Sequence, residues 1–291
     1  MLDKNISGFL YSCQFTILFM NKPLQRNSRE VLQRAMEQTF QRQRFELKYR
    51  INESLAREIR FFVEAYLDCD PHGVSRPNRS YVVNSLYLDS PSLYTYNRTV
   101  NGDRNRFKLR LRYYDSEDSP VFFEIKQRRN RVIQKKRARV RRDAVQDLLN
   151  GNAPAREHLV HYSRNQMDAL EHFCFLQGNI QASPKVHVSY LREAYQNKQS
   201  NDVRVTMDRD VRNSMVHHNK FENQQSGRYP TFGNTVILEL KFTNRFPDWL
   251  NELTQRFHLR RESAAKYVDS IEFHRFRKIE SGWNTKPVVH E

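Results

Sequence analysis

The chain has 291 residues, of which 38% are hydrophobic and 12% aromatic, enough for one packed domain. Its 49 Lys and Arg against 33 Asp and Glu leave a formal net charge of +16, which points to an anionic partner such as nucleic acid, phosphate chains, nucleotides or acidic lipid. Three scattered cysteines, Cys13, Cys69 and Cys174, with no CxxC pair argue against a disulfide framework or structural zinc site and fit a reducing cytoplasm.

Residues 1–42 read as a poorly structured lead-in. Residues 9–20 are apolar but interrupted by Ser12, Cys13 and Gln14, and fall short of the roughly 20 residues a membrane span needs. They do not read as a signal peptide either, and translation from Met20 is the favoured alternative. Residues 45–51 alternate as a first strand. Asn52 then caps a helix that repeats Leu55, Ile59, Phe62, Val63, Tyr66 and Leu67 at helical spacing, ended by Asp70-Pro71-His72-Gly73. Strands follow at 81–89 and 104–114, and 121–128 and 132–140 form a hairpin turning near Arg129-Asn130-Arg131. Helices are predicted at 143–149, closed by Gly151, and at 164–176, closed by Gly178. Strands resume at 185–195, 203–208 and 235–243, with a polar loop over 212–234. Pro247 opens a helix with Trp249, Leu250, Leu253 and Phe257 on one face. One domain over 43–276 with a tail at 277–291 is expected.

The most informative stretch is Arg106-Phe107-Lys108-Leu109-Arg110-Leu111-Arg112-Tyr113. Side chains alternate between the two faces of a strand, so one face is a cationic row and the other apolar. Glu46, Lys48 and Arg50 share a face in the same way, as do Glu124, Lys126 and Arg128; Lys135, Arg137 and Arg139; Arg204, Thr206 and Asp208; and Glu239, Lys241 and Thr243. One such strand is the solvated face of an antiparallel sheet. So many predict an α+β fold built on a closed antiparallel β-barrel with a charged interior, its apolar outside covered by helices. A polyanion would fill it. Glu46, Glu124 and Glu239 each precede a lysine by two positions. Among phosphate-binding cations a carboxylate serves either as an ion-pair partner or as a ligand for Mn2+ or Mg2+, and Glu239 is the candidate metal ligand. No GxxxxGK[ST], GxGxxG or GxSxG motif is present, so side chains must do the binding. The aromatics fall mostly opposite the cations, so nucleic acid is not an expected partner.

These motifs, in this order, resemble the VTC-type polyphosphate polymerase domain of the triphosphate tunnel metalloenzymes, relatives of the CYTH proteins. The resemblance covers residues 45–271. It is carried by Glu46-Leu47-Lys48-Tyr49, Ser85-Leu86-Tyr87-Leu88-Asp89, Arg110-Leu111-Arg112-Tyr113, Glu124-Ile125-Lys126 and Lys135-Lys136-Arg137. It continues in Tyr190-Leu191-Arg192, Arg204, Leu238-Glu239-Leu240-Lys241 and Ala265-Lys266-Tyr267. Arg44 stands where CYTH relatives often carry a first glutamate, and Ala265 stands where the family usually has Ser.

The resemblance implies transfer of the γ-phosphoryl group of ATP to polyphosphate, with Mn2+ or Mg2+ as cofactor. Arg110, Arg112, Lys126 and Arg192 take catalytic roles in that reading. Lys48, Lys135, Arg137, Arg204, Lys241 and Lys266 bind phosphate, and Glu239 holds the metal. ATP and polyphosphate are then the partners, with no membrane segment in the chain. A triphosphatase acting on nucleoside or inorganic triphosphate is the alternative reading, and a non-catalytic polyanion or RNA binder the next.

Overall fold

The computed structural model describes residues 44–114, 119–130, 132–197, 202–222 and 229–283. The lead-in, the Met20 start and the end of the tail lie outside the described residues.

Strand β1 (Arg44–Ile51) leads into helix α1 (Glu53–Glu64), whose N-cap Asn52 accepts a bond from the Leu55 amide. Short β2 (Asp68–Cys69) and α2 (Pro71–Val74) precede β3 (Ser80–Asp89), α3 (Tyr94–Val100), β4 (Asn105–Tyr113), β5 (Val121–Arg129) and β6 (Val132–Val140). Helices α4 (Val145–Leu149) and α5 (Arg164–Asn179) follow, then β7 (Ser183–Gln196), β8 (Val203–Met215), β9 (Tyr229–Pro230) and β10 (Val236–Thr243). The chain closes with α6 (Asp248–Arg256) and α7 (Lys266–Trp283). Helix α5 passes through Gly178 instead of stopping there. Strand β8 runs well into the stretch expected as loop, because Val211 is buried and Asn213 pairs with Tyr229 of β9.

All ten strands belong to one antiparallel sheet, whose main path runs β1-β10-β8-β7-β3-β4-β5-β6. Among the described residues no ladder joins β6 to β1, so the sheet is open and the expected closed barrel is overturned. The two edges are bridged by side chains instead: Lys126 of β5 donates to Glu46 of β1 at 3.4 Å. Strand β6 carries the exposed Lys135, Lys136 and Arg137, and charged edge strands resist pairing.

The apolar face of the sheet carries two cores. Leu109, Leu111, Phe123, Ile125 and Ala138 pack under Leu148, Leu170 and Phe173 of α4 and α5. Tyr49, Val205, Met207, Leu238 and Leu240 pack under Ile59 and Val63 of α1 and Leu250 and Leu253 of α6. Apolar burial at roughly 25 cal/mol per Å² is the main force holding helices to sheet. Cys69 and Cys174 are free thiols. Among the described residues no helix is long and apolar enough to cross a membrane.

Phe173 is fully buried edge-on to Phe123, with ring centroids 4.8 Å apart. Truncation by Phe173→Ala is expected to remove about 3–5 kcal/mol of stability, measured as a lowered midpoint in urea unfolding.

Candidate functional site

Strand alternation sends the apolar side chains to the helices and the charged ones to the opposite, concave face. Register then sets like charges side by side. Lys108 of β4 lies opposite Lys126 of β5, and Lys126 lies opposite Lys135 of β6. Lys241 lies opposite Arg204. Directly opposed like charges are destabilising, and the carboxylates on this face limit the penalty only in part.

Glu239 is the centre of one cluster. Its carboxylate is 2.5 Å from Lys241 Nζ, 3.4 Å from Lys48 Nζ, 3.4 Å from Lys266 Nζ and 3.8 Å from Arg192 Nη2. Asp208, fully buried, takes two bonds from the Arg192 guanidinium at 2.7 and 2.8 Å and one ion pair from Lys266 at 2.7 Å. Arg192 and Lys266 also sit over the Tyr190 ring, 5.1 and 4.9 Å from its centroid. A second cluster centres on Glu124, which takes the Arg110 Nε at 3.0 Å and Nη2, with Arg112 Nε 3.8 Å away.

The concave face is not charged throughout. Helix α7 lies against it, and Ala264, Tyr267 and Ile271 pack on Tyr87, Val186, Val188 and Ile237. Tyr267 donates to Asp89 at 2.5 Å and stacks on Tyr87. Hydrocarbon therefore covers part of this face, reaching as far as Tyr81 and Tyr114, and the cations occupy the remainder.

The residues selected from the sequence are accordingly distributed. Lys48, Arg192, Lys241 and Lys266 converge on Glu239. Arg110 and Arg112 sit at Glu124, and Lys126 reaches Glu46. Arg204 is bonded to Asp70 and to Gln196 at 2.6 Å. Lys135 and Arg137 stand exposed on the edge strand, with Arg137 over the Phe122 ring.

The sequence reading passed over several participants. Lys108 stood in the cationic row without being selected. Asp208 shared a face with Arg204, but its role depends on α7 delivering Lys266. Ser85 Oγ, Thr206 Oγ1 and Arg112 Nε are buried without a hydrogen-bond partner among the described residues. Ser85 lies opposite Arg112 and Thr206 opposite Glu239, so these unsatisfied groups lie beside the charged clusters, where oxygen-rich ligands would bond them.

Among the described residues no group of three or more His, Cys, Asp or Glu forms a metal cage. Two carboxylates nevertheless share a point: Lys48 Nζ is 3.4 Å from both Glu46 Oε1 and Glu239 Oε1. A cationic group already sits between two hard oxygen donors there. That donor set fits Mg2+ or Mn2+ bound by one or two carboxylates plus substrate oxygens.

Protonation follows from the packing. Burial and the neighbouring Glu239 raise the Glu46 carboxyl, but Lys126, Lys241 and Lys48 outweigh them and bring it to about 2. Burial likewise opposes ionisation of Glu124, yet Arg110 and Arg112 hold it at about 2. Glu239 lies well below the carboxylate range, its burial overcome by Lys241, Lys266, Lys48 and Arg192. Lys108 moves the other way: burial first, then repulsion from Lys126 and Lys48, lowers it to about 8. Lys135 is lowered to about 8 by burial first, then by repulsion from Lys126 and Lys241 against the attraction of Glu46, though its exposure lets solvent screen part of the effect.

The VTC domain family model matches residues 43–274 of the chain. No curated protein matches it. Solved structures to which the chain is similar include a candidate adenylate cyclase from Bacillus halodurans, 12% identical with a TM-score of 0.44, covering 75% of this chain and 91% of that one. A protein from Pyrococcus horikoshii OT3 is 11% identical with a TM-score of 0.41, covering 80% and 99%. A candidate adenylyl cyclase from Hippeastrum with dominant triphosphatase activity is 10% identical with a TM-score of 0.42, covering 77% and 91%. These likenesses are too distant to carry a functional argument.

The lowered Lys108 ammonium has a measurable consequence. Its folded pKa of about 8 lies below the ordinary lysine value of 10.5, so its repulsion acts in full below pH 8 and is relieved as the pH rises from 8 to 10.5. A bound polyanion restores the charged form. Tripolyphosphate binding at about pH 9 is therefore expected to take up protons, read by titration calorimetry in buffers of different ionisation enthalpy. Lys108→Met should diminish that uptake, and an unchanged value would remove Lys108 from the site.

Proposed function

This chain belongs to the VTC domain family, and from that premise we propose that it transfers the terminal phosphoryl group of ATP to the end of a polyphosphate chain. The observation that carries this reading is the lysine row Lys108, Lys126 and Lys135, three ammonium groups opposed across adjacent strands with Glu46 as the near carboxylate. A linear chain of phosphates neutralises such a row along its length, as a single small anion does not.

Phosphoryl transfer asks the protein mainly for positioning and charge neutralisation. Arg110 and Arg112 present planar donors to phosphate oxygens. Arg192 is held rigid by Asp208, so it orients substrate without losing side-chain freedom on binding. Lys48, Lys241 and Lys266 supply point charges about Glu239, and Lys126, Lys135, Arg137 and Arg204 extend the cationic surface outward. Mn2+ or Mg2+, held by Glu239 with Glu46, would neutralise charge between the phosphate groups of the donor.

The acceptor follows from the protonation states. A terminal oxygen of polyphosphate attacks the γ-phosphorus, the bond to the β–γ bridging oxygen breaks, and ADP leaves with that electron pair. The attacking oxygen is already anionic and needs no base. Water would need one, and an effective base has a pKa near the working pH. Glu46, Glu124, Asp208 and Glu239 are all held below their ordinary values by surrounding cations, which makes them poor proton acceptors. This favours synthesis over a hydrolysis in which a carboxylate activates water. ATP as donor and the free thiols of Cys69 and Cys174 accord with a cytoplasmic setting.

Purified protein incubated with ATP and Mn2+ is expected to build long polyphosphate, sized on a gel, with EDTA abolishing the product. Release of orthophosphate or pyrophosphate alone would replace this reading with a triphosphatase. Arg110→Ala is expected to lower turnover on the order of 10²-fold or more while circular dichroism stays unchanged, and Glu239→Ala to lower it likewise with a reduced unfolding midpoint as well; near-normal activity in both would refute the site.

A further inference from the structure

We propose that an aromatic recess beside Arg204 on the cationic face, built by His72, Tyr81 and Tyr114, seats the nucleobase of the phosphoryl donor. This rests on the reading of that face as a phosphoryl-transfer site and adds a second, chemically different subsite to it.

Tyr81 joins the two. Its hydroxyl lies 3.4 Å from Arg204 Nη2, on the cationic face. Its ring forms one wall of a recess completed by His72, Arg76, Val82 and Tyr114. The His72 and Tyr114 rings are near-parallel, 15° between planes with centroids 6.1 Å apart, and both meet Tyr81 at a steep angle. His72 and Arg76 are exposed and Tyr114 half-buried, so the rings are within reach from outside. The recess measures 60 Å³, less than a purine needs, so the base lies across its opening with one face on the rings.

The position of the rings is tied to the phosphate end. One oxygen of Asp70 accepts the His72 amide at 2.9 Å and the other pairs with Arg204. Gly73 fits closely beside them: a Cβ there would lie 2.6 Å from the Arg79 carbonyl oxygen. The turn carrying His72 is therefore held beside Arg204.

Inorganic polyphosphate has no π face, so the faces of the three rings give it no stacking partner. A nucleoside triphosphate with its phosphates along the cations as far as Arg204 projects its base towards the rings, where stacking is available. Base-on-aromatic stacking is worth about 1–3 kcal/mol and tolerates any base. The ring surfaces carry few fixed hydrogen-bond donors, so adenine and guanine should be held alike.

Titration calorimetry on the full chain tests this with two probes, a non-hydrolysable ATP analogue and tripolyphosphate. In the double variant His72→Ala/Tyr114→Ala, affinity for the analogue is expected to fall on the order of 10-fold, with tripolyphosphate binding retained. Restoring rings with His72→Phe/Tyr114→Phe should recover the analogue affinity, which a merely destabilised loop would not. Equal weakening of both probes, or an analogue affinity untouched by ring removal, would overturn the base subsite alone. Wild-type protein that binds neither probe would overturn the phosphoryl-transfer reading and the subsite together.

Discussion

The buried ion network of Asp208, Glu239, Arg192 and Lys266 is the constraint on which the structure turns. A strand face lined with Lys and Arg resists being folded inward, because desolvation and mutual repulsion both oppose it. Here two carboxylates at or near zero exposure are each shared among several cations. Removing one partner would leave uncompensated charge in a buried setting, so the network is all-or-none. It also ties the last helix to the sheet, since Lys266 opens α7 and reaches two strands at once.

The rest of the fold accommodates what that network leaves unneutralised. The apolar face is covered by helices in two separate cores, and α7 packs hydrocarbon on part of the charged face. Like charges remain side by side at Lys108, Lys126 and Lys135, near the seam between β1 and β6. The seam stays unpaired in backbone terms and is spanned by the Lys126–Glu46 contact. Stability is thus exchanged for a potential that draws anions, as in other preorganised electrostatic sites.

The same potential limits the chemistry. Carboxylates surrounded by lysines and arginines stay ionised and make weak bases, whereas lysines surrounded by lysines lose part of their grip on a proton. A reaction that needs charge neutralisation suits this face, and its carboxylates are ill suited to proton abstraction. The aromatic recess beside Arg204 adds ring faces that a nucleobase can stack on.

Much of this was legible in the residues alone, because alternation is a local property. The order Arg106, Lys108, Arg110, Arg112 against Phe107, Leu109, Leu111 and Tyr113 determined which face of β4 is cationic and which meets the helices, whatever the remaining chain does. The capped start of α1 and the hairpin of β5 and β6 are local in the same sense. Closure of the sheet is not, since it depends on long-range register, twist and repulsion between edges far apart in sequence. Nor is the partnership of Asp208 with Lys266, 58 residues on and carried in by a helix, or the meeting of His72, Tyr81 and Tyr114. The sequence by itself determined the sign and the sidedness of the charge, because neighbouring peptide geometry sets them. Only the tertiary structure decided which charges are neutralised, which remain free for a ligand and where the face opens, because those depend on distances between strands and helices that no local pattern encodes.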